Sequence, residues 1–100
     1  MTDLQITDTS LLSWANDVIA TEVDGEAIIM TIERGHCFGF DAIGTQIWKL
    51  LEQPVRFDDV CSKLLAEYAI DRDTLMEDVA RLLSELARER LIVVENETGR

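Results

Sequence analysis

The chain has 100 residues, 47% of them hydrophobic and 29% charged, with a formal net charge of −11. That length holds one domain with a modest core, and the composition excludes wholesale disorder. The acidic balance works against phosphate backbones and anionic lipid surfaces, and no apolar run reaches the ~18 residues that a membrane helix needs. Residues 1–15 carry Leu4, Ile6, Leu11, Leu12 and Trp14 without a clean period. They read as an irregular N-terminal arm, with a short strand at 4–6 and Trp14 packed onto the domain. The domain itself is expected over 16–94, and the polar residues 95–100 read as a flexible tail.

The domain begins with β structure. Residues 18–23 (VIATEV) are rich in β-branched side chains, and Asp24-Gly25 is a hairpin signal because both turn positions of a type I′ turn need positive φ. Residues 26–32 form the second strand, and Arg34-Gly35 marks the next turn. Residues 36–40 (HCFGF) form a short third strand, with Phe38 and Phe40 on one face and Cys37 and Gly39 on the other.

Helices follow. Asp41 stands at an N-cap position, and Ile43, Ile47, Trp48, Leu50 and Leu51 recur at helical spacing until Pro54. A second helix is predicted over 57–68, with Phe57, Val60, Cys61, Leu64, Leu65 and Tyr68 on its buried stripe. Asp71 caps a third, over 74–90, that buries Leu75, Val79, Leu82, Leu83 and Leu86. Residues 91–94 (LIVV) read as a last strand or an extended tail. The fold class is therefore α+β. A three-stranded antiparallel sheet is followed by three helices in a winged helix-turn-helix-like order, and the helices must cover the sheet's apolar face.

Catalytic chemistry is hard to place. His36 is the only histidine, which excludes a multi-histidine metal site, and it points away from its neighbour Cys37 on a strand. Cys37, His36 and Cys61 lack zinc-site spacing, so no metal and no cofactor is expected. The two cysteines read as buried free thiols of a reduced, cytoplasmic protein. Asp71, Asp73, Glu77 and Asp78 suit a helix N-terminus, and Glu77 and Arg81 are spaced as an i,i+4 pair.

Three uses of this architecture compete. A winged-helix transcription regulator would push the start of the third helix into a major groove, but residues 71–78 hold four acids and one base and the wing around Asp24-Gly25-Glu26 is acidic. A homodimerising interaction module would pair its edge strand with a second copy. A peptide binder would offer that edge, residues 36–40, to an extended guest, with the third helix as the opposite wall. The glycines at 35 and 39 let another backbone approach closely.

Several segments together resemble the PqqD-like proteins, also called RiPP recognition elements: Gly25-Glu26, Ile28-Ile29-Met30, GHCFGFD at 35–41, GTQIWKLL at 44–51, DVARLLSEL at 78–86 and Leu91-Ile92. The resemblance spans 16–94. The chain departs from the family at Cys37, where an aromatic residue is frequent, and at Asp41, where an Asn is frequent. The resemblance implies a non-catalytic, standalone protein that binds the leader of a ribosomally made precursor peptide by strand addition. Such a protein presents the leader to a leader peptidase, a cyclase (as in lasso-peptide pathways) or a radical enzyme. The leader would lie along His36, Cys37, Phe38, Gly39 and Phe40. Helical spacing gives Asp78, Arg81, Leu82 and Glu85 as the facing wall, with Val79 and Leu86 nearer the core. Neither nucleic acid nor membrane is an expected partner, and the protein is expected to be a monomer or weak homodimer.

Overall fold

The computed structural model describes residues 6–96. Nine elements follow in order: β1 (Leu11–Trp14), β2 (Val18–Val23), β3 (Glu26–Thr31), β4 (Cys37–Gly39), α1 (Ala42–Leu50), β5 (Val55–Arg56), α2 (Phe57–Glu67), α3 (Arg72–Arg88) and β6 (Ile92–Glu95). They build two three-stranded sheets, ordered β2-β3-β4 and β5-β1-β6.

The first sheet is the antiparallel meander expected from the sequence. Asp24 and Gly25 both take positive φ, 55° and 82°, as a tight type I′ hairpin requires. The register runs from Val18↔Thr31 to Val23↔Glu26, then from Ile28↔Gly39 to Met30↔Cys37. The same register carries the pairing past both ends of β4. Thr31 N–H donates to the His36 carbonyl at 2.9 Å, and Phe40 N–H donates to the Ala27 carbonyl at 2.9 Å.

The second sheet corrects the reading of residues 1–15 as an irregular arm. β1 lies at the centre of that sheet, with Leu12 fully buried. It pairs antiparallel with β6, from Leu11↔Glu95 to Trp14↔Ile92, and with β5 at Leu11↔Arg56 and Leu12↔Val55. LLSW is too short to show a strand period, and its partners lie more than 40 residues away in the chain. The LIVV segment forms the strand alternative, and pairing extends to Glu95, one residue into the stretch read as tail. The strand expected at 4–6 lies largely outside the described residues, as do positions 97–100; Ile6 is not in a strand.

The helices follow their caps. Asp41 accepts from Gly44 N–H at 2.8 Å and Asp71 from Thr74 N–H at 3.1 Å, each satisfying an amide that the first helical turn leaves over. α3 starts at Arg72, directly after its cap, and ends at Arg88, two residues from either expected bound. Arg90 turns to φ 65° and closes it. Two further expectations are corrected. Arg81 pairs with Asp78 at 3.3 Å, one turn back, and not with Glu77. Cys61 is buried as expected, but Cys37 is exposed, because its side chain points off the uncovered face of the sheet.

One core joins both sheets to the three helices, through Leu12, Ile29, Ile47, Trp48, Val60, Leu64, Leu83 and Leu91. Trp14 does pack onto the domain. Its ring stacks on Trp48 with centroids 4.8 Å apart, and its indole N–H donates to the Trp48 carbonyl at 2.8 Å. Among the described residues, no helix is long and apolar enough to cross a membrane.

Candidate functional site

β4 pairs with β3 on one side, and no strand among the described residues pairs with its other side. Antiparallel ladders alternate between residues that bond to their partner and residues whose N–H and C=O point away from it. The bonds Thr31 to His36 and Phe40 to Ala27 fix the phase. His36, Phe38 and Phe40 are turned toward β3. Cys37 and Gly39 therefore direct their N–H and C=O groups to the open rim. That places a donor and an acceptor on each of two residues, at the spacing with which an extended backbone repeats.

Two buried threonines hold this rim in place. Thr31 is 1% exposed; its hydroxyl accepts from His36 N–H at 3.2 Å, and its carbonyl accepts from Gly35 N–H at 2.9 Å across a turn in which Gly35 takes φ 68°. Thr45 on α1 is 3% exposed, and its hydroxyl accepts from Ala27 N–H at 2.7 Å. Removing a partner of such a buried bond leaves an unsatisfied donor, which costs about 1–3 kcal/mol. The strand beside the rim is thus fixed at both ends before any guest arrives.

Beside the rim lies a cavity of about 660 Å³. Gly39, Phe40 and Asp41 bound one side, α1 contributes Ile43, Gly44 and Ile47, and α3 contributes Leu75, Asp78, Val79 and Leu82. Leu64, Tyr68, Ala69 and Ile70, from α2 and the link to α3, close the end. The lining is mainly apolar, as ligand grooves usually are. Tyr68 is fixed by its hydroxyl, which donates to Gln46 Oε1 at 2.7 Å, while Gln46 Nε2 donates to Glu67 at 2.7 Å. Phe40 is held edge-on to Trp48, with ring centroids 5.9 Å apart.

Of the residues singled out from sequence, Gly39, Phe40, Asp78 and Leu82 meet around this cavity. His36, Cys37 and Phe38 lie along the rim but do not line it. The His36 ring stands edge-on to Phe38 at 6.3 Å, and the Phe38 side chain packs against the core. Arg81 and Glu85 project from the exposed face of α3 and do not line it either. Sequence reasoning missed Ile43, Tyr68 and Ile70. Ile70 carries a signal in hindsight, since it is an isoleucine in a short interhelical link and remains 42% exposed.

Burial pushes the Cys61 thiol up to about 11, helped by Asp8 and Asp58 and opposed by Arg72, which leaves it protonated and unreactive at neutral pH. Among the described residues, no three His, Cys, Asp or Glu side chains are grouped to hold a metal ion.

The family model described as Coenzyme PQQ synthesis protein D (PqqD) matches residues 26–92. No curated protein matches the chain in sequence. Among solved structures, one described as TbiB1 in complex with the TbiA(beta) leader peptide is 30% identical. It covers 85% of this chain and 99% of its own, with a TM-score of 0.79.

Proposed function

The chain belongs to the PqqD family, and from that premise we propose that it binds the leader segment of a ribosomally made precursor peptide and presents it to a modifying enzyme. The observation that carries this reading is the open rim of β4 beside an apolar groove walled by α3. The similar TbiB1 structure holds a leader peptide. The guest becomes a fourth strand, bonded to Cys37 and Gly39, and its alternate side chains enter the groove against Phe40, Leu82 and Val79. His36 and Phe38 flank that strand, while Arg81 and Glu85 on the outer face of α3 contact guest residues beyond the groove.

The protein makes and breaks no bond in this scheme. It raises the effective concentration of the precursor at a leader peptidase, cyclase or radical enzyme in a reduced, cytoplasmic setting. The start of α3 argues against DNA, because Asp71, Asp73, Glu77 and Asp78 are all exposed there and would face phosphates.

Titration with the TbiA(beta) leader, followed by backbone amide shifts, tests the proposal. The expected result is that the largest shifts fall at Cys37, Gly39 and their neighbours, with Leu82→Asp weakening binding at least tenfold while the circular dichroism stays native. Shifts confined to other surfaces would refute it.

A further inference from the structure

Resting on the leader-binding reading, we infer that the groove selects peptides in which an apolar anchor is accompanied by a lysine or arginine, received between Asp41 and Asp78. The cavity lining contains two charged side chains, and both are carboxylates, one on each wall. No cation among the described residues lines it. A guest strand laid on β4 takes water away from both acids. A neutral or acidic guest gives nothing back for that loss, whereas a cation does.

Both carboxylates have capacity left. Asp41 spends one oxygen on the Gly44 amide at 2.8 Å, and an ionised carboxylate has about four acceptor positions. Asp78 holds Arg81 at 3.3 Å, but both side chains of that pair are more than half exposed, at 56% and 64%. Such a pair is weak and exchanges readily for a better placed cation.

The rim of the cavity favours the long basic side chains in particular. Ile43 and Ile70 border it and are 51% and 42% exposed. Lysine and arginine lay their methylene stems along apolar surface and keep the charged head at its edge. One side chain thus covers the exposed isoleucines and reaches the acids. Because alternate residues of a strand share a face, the basic residue stands two positions from the apolar anchor.

The test selects short displayed random peptides on the wild-type protein and on the double variant Asp41→Asn/Asp78→Asn. Asparagine keeps the helix cap, so the variant removes charge and not the fold, which thermal melting verifies. Wild type is expected to enrich peptides with Lys or Arg two positions from a large apolar residue. A selected peptide should then bind about fivefold more tightly than its Gln counterpart at low salt, with the Glu counterpart weaker still. The Arg/Gln ratio should fall toward one in high salt and in the double variant. Amide shifts at Cys37 and Gly39 separate the two levels of the claim. Edge binding with no preference for the cation, or a preference that survives in the double variant, overturns this inference and leaves the groove reading intact. No edge shifts with any selected peptide or with the TbiA(beta) leader overturns both.

Discussion

The two sheets contain the same number of strands and are built in opposite ways. β2-β3-β4 is made of neighbours in the chain joined by tight turns. β5-β1-β6 draws its strands from three distant stretches and buries Leu12 of its central strand completely. Residues next to β1 add further ties: Phe57 N–H donates to the Ser10 carbonyl at 2.9 Å, and the Ser10 hydroxyl donates to Asn96 Oδ1. Among the described residues, β1 and β6 pair with each other and not with the rim of β4. The comparison teaches a division of labour. One sheet spends its segments on closure, which leaves the other a strand edge with its donors and acceptors available.

If that division holds, damage to one sheet lowers stability and damage to the other lowers affinity. The largest effect is expected from Leu12→Ala, which removes a fully buried side chain at the centre of the closing sheet and should cost roughly 3 kcal/mol in urea unfolding. The folded fraction should still bind leader peptide as wild type; lost affinity at full occupancy of the native state would show the sheets are coupled. Next comes alkaline pH. The Cys61 thiol sits at about 11 in the folded chain against 9.0 as reference, so the unfolded chain loses this proton first. Its contribution is fully present below pH 9 and is lost as pH rises toward about 11, by about 2–3 kcal/mol. The slope should be absent in Cys61→Ala.

The finest discrimination lies within β4. Phe38→Pro removes an amide turned toward β3 and should destabilise the fold by about 1–3 kcal/mol. Cys37→Pro removes an amide turned toward the rim. Its stability should stay within about 0.5 kcal/mol of wild type while leader affinity falls about tenfold. Equal stability losses for these two neighbours would mean that the phase of the ladder is not the one described.

The meander, the three helices and both aspartate caps were legible in sequence because each signal is local: a positive-φ turn pair, an alternating strand, a side chain three residues from the amide it caps. β1 and β5 were not, because their stability comes from partners far along the chain and they are too short to show a period of their own. The site divided along the same line. Gly39 and Phe40 were readable from the strand, and Asp78 and Leu82 from the spacing of α3. Ile43 and Tyr68 reach the groove only through the angles at which α1 and α2 pack, which no periodicity records. The exposure of Cys37 was missed because free cysteines are usually buried, and here the strand's pleat outweighs that habit.

The stacked Trp14 and Trp48 have a practical consequence. They are the two tryptophans of the chain, and they join β1 of the closing sheet to α1 behind the groove, with Phe40 of the groove edge-on to Trp48. Near-ultraviolet optical signals of the protein therefore arise largely from a single aromatic pair at the seam. Its emission and exciton band form a built-in gauge, sensitive from one side to loosening of the chain's closure and from the other to a peptide that displaces Phe40, with no added label.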